Sequence, residues 1–380
     1  YEPVLRAVAL RALENRLAAE RVEPHLLVAI MTAGRDPDGF VRMTATEILR
    51  PRTESFVTNY FLGALERGEV RPEVFAEHLD GLSDKDFEAW MQAKKLRLFD
   101  YVRLRLEHPS WREATRALAL APRFEVAEVV PLLIQGLGVW SQRSSGGSRR
   151  VRTEYQRALK TLTGRDFGRD PAAWARWWMT ALEGGNLPEM GEDRPEQTEA
   201  TFYELRPSSD RILFLIDRSG SMRERQEGTR TRFQDAMERL QYTLRDLGDE
   251  TQFGVVLFNS TGHKFRNKLV SATPETLKEL ETWGKRIQPD GGTDLHSGLR
   301  VALPGLEEGT THPTEIDYDT VIVLCDGETE SDSWVAPWLA KYNLDARVVF
   351  HCVNIGGQPG GVLEALAKGS GGTFINVDAY

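Results

Sequence analysis

The chain has 380 residues, 41% of them hydrophobic and 28% charged, with a formal net charge of −9. That length suffices for two or three domains, each with its own buried core, and the balance is that of an ordinary globular protein. No run approaches the roughly 18 consecutive apolar residues of a transmembrane helix, which excludes that element from the sequence.

Charge is divided unevenly along the chain. Residues 1–183 carry 28 Lys and Arg against 25 Asp and Glu, a net of +3, and the remainder carries 20 against 32, a net of −12. The acidic second half disfavours nucleic acid as its partner and leaves the first half open on that point. The sequence begins at Tyr1 within a stretch of helical pattern and so reads as a fragment or processed product. Targeting signals are then unobservable, and the cytoplasm is the favoured location. Cys325 and Cys352 each sit inside an apolar run, the setting of buried small hydrophobes rather than of a disulfide or a catalytic thiol.

In chain order, apolar residues at helical spacing predict helices over 4–19, 25–33, 40–49, 55–66, 72–79, 84–95, 96–107, 111–120 and 126–137. Paired helices repeating at roughly forty residues indicate a HEAT-like α-solenoid. Trp140–Arg152, polar, Gly-rich and basic, is expected to be an exposed loop, followed by a helix over 152–162. Asp170 as a cap and Pro171 at the first position begin another helix, on which Trp174, Trp177 and Trp178 share a face and close the solenoid core.

Residues 184–207 form an acidic linker carrying Pro and Gly, and the pattern then changes. Apolar strands over 211–216, 252–258, 321–325, 347–353 and 373–377, with a more polar edge strand over 264–270, alternate with helices over 231–247, 274–287, 295–303, 334–341 and 362–368. Strands that are apolar throughout imply a mostly parallel sheet covered on both faces, a doubly wound, Rossmann-like α/β domain. The expected architecture is therefore α plus α/β, with a helical repeat domain over 1–183, a linker over 184–207 and an α/β domain over 208–380.

Chemistry gathers at one edge of that sheet. Asp217-Arg218-Ser219-Gly220-Ser221 follows the first strand directly, Gly291-Gly292-Thr293-Asp294 precedes a helix, and Asp326-Gly327-Glu328-Thr329 follows the strand over 321–325. Oxygen donors at alternating positions of a turn can converge on one hard cation, with Gly220 letting the backbone bend between them. In a doubly wound sheet, ligands sit outside the carboxyl ends of the strands, where the strand order reverses. The donor side chains are expected to point towards solvent rather than into the core.

Together these segments resemble the metal-ion-dependent adhesion site of von Willebrand factor A domains, in which Asp-x-Ser-x-Ser is followed by a distant Thr and a distant strand-terminal Asp. The matching positions are Asp217, Ser219, Ser221, Thr293 and Asp326, and the order of strands and helices agrees over about 170 residues. The resemblance implies that Ser219, Ser221 and often Thr293 ligate the metal directly, with Asp217 and Asp326 acting directly or through water. Mg²⁺ fits this donor set, with Mn²⁺ or Ca²⁺ as substitutes, and neutral hydroxyl ligands leave it able to attract a carboxylate from a protein partner. Asp294 and Glu328, with Glu330, are outer candidates, whereas His263 and His296 read as surface histidines and His351 as a satisfied core residue.

The stretch from Thr163 to Trp178 also resembles the end of HEAT-repeat regions in bacterial multidomain proteins in which such a domain often follows, and Thr201–Pro207 resembles their lead-in to it. The reading these features favour is a non-enzymatic, Mg²⁺-dependent scaffold that binds proteins. An alternative is RNA binding, by analogy with the TROVE family, with Arg143, Arg149, Arg150 and Arg152 as the basic footprint. A metal-dependent hydrolase is disfavoured, because no nucleophile, base and orienting acid fall together. Limited proteolysis should cut first within 184–207 or 144–150, where apolar periodicity is lost. A first cut inside 211–377 would refute the boundary.

Overall fold

The structure, a computed structural model, describes residues 2–17, 24–143, 147–184, 202–203, 205, 208–225, 230–326, 331–355 and 361–377. It divides into two compact units, Tyr1–Pro195 and Glu196–Tyr380. Among the described residues, no helix is long and apolar enough to cross a membrane.

Among the described residues, the regular elements of the first unit are helices: α1 (Pro3–Leu17), α2 (Pro24–Ala33), α3 (Gly39–Leu49), α4 (Ser55–Glu66), α5 (Pro72–Asp80), α6 (Asp84–Leu106), α7 (Trp111–Leu118), α8 (Val126–Ser141), α9 (Ser148–Thr163) and α10 (Pro171–Glu183). Its helix starts follow local chemistry. Asp38, Ser83 and Asp170 accept hydrogen bonds from the first-turn N–H groups of α3, α6 and α10, and Pro171 takes the first position of α10, where its missing N–H costs nothing.

Two expectations fail here. Residues 84–106 are one helix of 23 residues, where two helices over 84–95 and 96–107 were expected. Lys94 and Lys95 look like a boundary, yet no Gly or Pro interrupts the backbone there, and charged residues propagate a helix well. Nor are the described residues of the basic segment, 140–143 and 147–152, an exposed loop. Trp140 is fully buried near the end of α8, and α9 has begun by Ser148. The Trp140 Nε1–H (3.0 Å) and the Tyr155 hydroxyl (2.7 Å) both donate to the Leu106 carbonyl at the end of α6, which satisfies a helix-terminal acceptor inside the core. The tryptophans of α10 are core residues as expected: Trp174 is fully buried, meets Phe167 edge-on at 5.0 Å and donates to the Gly168 carbonyl at 2.9 Å.

The second unit is built on β1 (Arg211–Asp217), α11 (Arg232–Leu247), β2 (Gln252–Phe258), β3 (Gly262–Lys264), β4 (Val270–Ser271), α12 (Pro274–Gly284), α13 (Leu295–Ala302), β5 (Thr320–Cys325), α14 (Val335–Tyr342), β6 (Val349–Ile355), α15 (Gly361–Ser370) and β7 (Phe374–Val377). The sheet order is β3-β2-β1-β5-β6-β7, with β4 also paired to β2. β1, β2, β5, β6 and β7 run parallel, and β3 and β4 are short antiparallel edge pieces where one polar edge strand was expected.

Alternate residues of β1 enter two separate cores. Ile212, Phe214 and Ile216 pack with Phe233 and Leu240 of α11 and Leu277 of α12, whereas Leu213 and Leu215 pack with Leu299 of α13, Trp338 of α14 and Leu366 of α15. Burial on both faces is why these strands read as unbroken apolar runs. The whole is a helical region followed by a mostly parallel α/β domain.

α13 lies close on the sheet at Gly298, where a Cβ would come within 2.9 Å of the Phe258 ring and 3.1 Å of Leu215 Cδ1. Gly298→Val should therefore lower stability by about 1–3 kcal/mol through overpacking, read as a lower urea midpoint. An unchanged midpoint would show that α13 can lift freely from the sheet.

Candidate metal centre

The chain leaves β1 towards β2 on one side and later returns to β5 on the other, so the strand order reverses between β1 and β5. Their register pairs Ile216 with Leu324, which sets Asp217 and Asp326 at neighbouring carboxyl ends. Sequence positions more than a hundred residues apart meet there because two parallel strands do.

Four of the five expected donors join in one hydrogen-bonded chain. Asp217 Oδ1 accepts the Ser219 backbone N–H at 2.6 Å, the hydroxyls of Ser219 and Ser221 lie 2.9 Å apart, and Ser221 Oγ donates to Asp326 Oδ1 at 2.8 Å. Because the Ser221 proton points to Asp326, the Ser219 hydroxyl is the donor between the two serines. Thr293 is half-buried, and among the described residues it has no hydrogen-bond partner.

The loop carrying Thr293 is tied to the first loop instead by its neighbours. The Gly220 N–H donates to the Gly291 carbonyl at 2.9 Å, and the Asp290 N–H donates to the Arg218 carbonyl at 2.8 Å. Arg218 pairs with the Asp290 carboxylate at 2.7 Å, and Asn259 Nδ2 donates to both the carbonyl and Oδ1 of Asp290 at 2.9 Å. The glycine whose backbone needs its freedom is Gly291, at φ +74°, rather than Gly220.

The expectation that the donors point to solvent is wrong for Asp217, Ser219 and Asp326, while Ser221 and Thr293 are half-buried. Asp217 is 0% exposed and Ser219 1%. A strand buried on both faces carries its last side chain into the interior, where the Cys325 thiol donates to Asp217 Oδ2 at 3.2 Å. Burial raises the Asp217 carboxyl to about 6, with the nearby Asp326 adding to the rise, while the Ser219 and Cys325 hydrogen bonds pull the other way. Cys325 and Cys352 are both free and buried, so Cys352 is the small hydrophobe expected and Cys325 is additionally a contact of the site. Burial pushes the Cys352 thiol up.

Among the described residues, no group of three or more His, Cys, Asp or Glu gathers anywhere. The donor set at this edge is two carboxylates and neutral hydroxyls, all oxygen, which suits a hard cation and no soft one. A buried carboxylate held part-way to protonation beside a second one is the electrostatic setting that a cation relieves.

The other expected residues are placed elsewhere or are otherwise engaged. Asp294 caps α13, its Oδ1 accepting the Ser297 N–H at 2.9 Å. Glu328 and Glu330 lie outside the described residues. His263 is exposed, His296 pairs with Glu307 at 3.0 Å and meets Trp334 edge-on, and His351 accepts the Thr373 N–H at 3.1 Å. Of the basic footprint, Arg143 donates to the carbonyls of Glu107 and His108 and lies over Trp140, while Arg150 is buried over Trp111 and paired with Glu154. Arg152 donates to the Ser148 carbonyl, and Arg149 is half-buried in the first turn of α9.

One residue of the site escaped the sequence reading. Arg232, first in α11, pairs with Asp326 Oδ2 at 3.0 Å. The capping pair Thr231 and Gln234 locates that helix start, but nothing local distinguishes Arg232 from an ordinary solvated helix charge.

Comparison with known proteins bears on the domain that carries these residues. The profile of the von Willebrand factor type A domain matches residues 210–375. Inter-alpha-trypsin inhibitor heavy chain H2 of Mesocricetus auratus is 34% identical over 128 residues, 33% of this chain and 13% of that protein. The same protein of Homo sapiens is 32% identical over 128 residues, with the same coverage of 33% and 13%. The chain thus matches only a small part of these relatives, and as mammalian proteins they give no support to the expected bacterial setting. A solved structure, BatB from Bacteroides thetaiotaomicron, aligns over 45% of this chain and 91% of its own at a TM-score of 0.33 and 14% identity. Residues 210–375 of this chain form a von Willebrand factor type A domain.

Proposed function

We propose that the carboxyl edge of this domain is a metal-ion-dependent adhesion site, and that the protein is a non-enzymatic scaffold binding partners that present an Asp or Glu carboxylate. The carrying observation is the chain of hydrogen bonds from Asp217 through Ser219 and Ser221 to Asp326. It supports the reading because it brings oxygen donors of both charge types to one point at the switch of strand order. Ser219, Ser221 and Thr293 would hold Mg²⁺ directly, with Asp217 and Asp326 acting directly or through water, and Mn²⁺ or Ca²⁺ could substitute. Mg²⁺ held there would supply the positive charge that attracts a partner's carboxylate.

The protein's own residues supply the rest. The two carboxylates repel an incoming anion unless a cation is present, so partner binding is switched by the ion. The clamp from Arg218 and Asn259 to Asp290 keeps the Thr293 loop against the first loop. Residues 1–183, read as HEAT-like repeats, serve as the scaffold, joined through 184–207 to a domain over 208–380. The RNA reading gains nothing from the structure, in which Arg143 and Arg150 are engaged with the protein itself.

Calorimetry should show Mg²⁺ uptake by the wild type and none by Ser219→Ala/Ser221→Ala. A display library of peptides bearing a single Asp or Glu, panned in Mg²⁺ and eluted with EDTA, should yield binders for the wild type and none for that variant. Binding that survives EDTA undiminished would sink the mechanism.

The raised Asp217 pKa gives a second test, with its sign opposite to that of most carboxylates. The native state holds the proton more tightly between the ordinary value of 3.8 and about 6, so the metal-free domain loses stability as pH rises through that window. Asp217→Asn removes this loss and should stabilise the metal-free domain at pH 7.5 by up to about 3 kcal/mol, the worth of about two pK units. Mg²⁺ affinity of the wild type should fall about tenfold per pH unit below pH 6, as the proton competes for the carboxylate. A metal-free midpoint for Asp217→Asn below that of wild type would contradict the assigned burial cost.

A further inference from the structure

Arg232 stands between the metal-site carboxylate and the loop that follows the Asp-x-Ser-x-Ser segment. Its Nη1 lies 3.0 Å from Asp326 Oδ2 and 2.9 Å from Glu224 Oε2. The Arg232 side chain is 11% exposed, against 0% for that of Asp326 and 65% for that of Glu224. The backbone repeats the connection: the Arg232 N–H donates to the Glu224 carbonyl at 2.9 Å, and Arg225 bridges Thr231. The chain therefore returns to the site and seats this residue there.

The guanidinium is held in place at a cost. Its Nε is buried and has no hydrogen-bond partner among the described residues. An arginine on the first turn of a helix could swing out and solvate that N–H, which is worth a kcal/mol or more. What opposes the swing is the fully buried Asp326 carboxylate, since removing the partner of a buried charge costs several times that amount. Glu224 contributes little, because an ion pair with so exposed a carboxylate is weak. Asp326 is thus shared, with Oδ1 taking the Ser221 hydroxyl and Oδ2 taking Arg232.

We propose that Arg232 is the built-in counter-ion of this site, a positioning residue that neutralises Asp326, holds its carboxylate towards Ser221, and thereby sets a weak affinity for the metal. The proposal rests on the reading of this edge as a metal site. Two carboxylates without Arg232 present two negative charges to a cation; with Arg232 they present one, and the cation also meets a fixed positive charge. The repulsion scales with the charge of the ion, so a trivalent ion feels it half as strongly again as a divalent one. Because the pair is buried, salt screens it poorly.

The test is titration of the full chain with Mg²⁺ and, separately, with Tb³⁺ by calorimetry, for wild type, Arg232→Met and Arg232→Lys. Arg232→Met should bind Mg²⁺ about tenfold more tightly than wild type and Tb³⁺ about thirtyfold more tightly. Arg232→Lys, which keeps the charge, should stay within about threefold of wild type for both ions. A structural role alone would not make the gain depend on ionic charge. Equal or weaker Mg²⁺ binding by a cooperatively melting Arg232→Met, or an equal gain for the two ions, overturns the proposal. If Arg232→Met does not fold, Arg232→Gln, which keeps a hydrogen bond to Asp326 without the charge, carries the same comparison. Uptake by Arg232→Met with none by wild type would support it most strongly. Absence of uptake in every variant would overturn the metal-site reading, and this inference with it.

Discussion

The structure of the α/β domain turns on one constraint: β1 must end in a carboxylate while both of its faces are buried. Asp217 is fully enclosed, and its carboxylate accepts the Ser219 backbone N–H and the Cys325 thiol. Much else follows from that. The first loop must turn so that the Ser219 N–H reaches back. The loop after α12 must close over it through Gly291. The strand that arrives alongside, β5, must bring a side chain that can donate to Asp217, which Cys325 does. Its successor, Asp326, adds a second negative charge, and this is what calls for a cation at the edge, whether a metal or Arg232.

What the sequence disclosed about this site depended on how local the signal was. Asp217, Ser219 and Ser221 lie within five residues after an apolar strand, so spacing alone gathers them. Asp326 was recoverable because it terminates a second apolar strand. The burial of Asp217, Ser219 and Asp326 was not, since the apolar run that implies cover on both faces ends at Ile216 and loop acids are ordinarily solvated. Arg232 was invisible for a related reason. Its role is set by a strand end 94 residues away, and its own neighbourhood is an ordinary capped, charged helix start.

The helical unit shows the same division. Helix starts marked by Ser, Asp or Pro were legible, because capping is a short-range interaction. The continuity of α6 was missed, since a pair of lysines resembles a boundary although nothing in the backbone breaks. The basic segment misled in another way. Its positive charge is real, but Arg143 and Arg150 lay their planar heads on Trp140 and Trp111 and complete their bonding within the protein. Composition counts charges, whereas recognition depends on which of them remain available.

The sheet has a mechanical consequence. β1 is bonded on both sides by parallel neighbours, residue for residue from Arg211 to Asp217 against β2 and from Ile212 to Ile216 against β5. A force applied at the carboxyl end of β1 along the strand axis would load both ladders in shear. All of their hydrogen bonds then resist together, where a pull across the strands would open them one after another. A grip placed at this edge is therefore seated where the domain best withstands force.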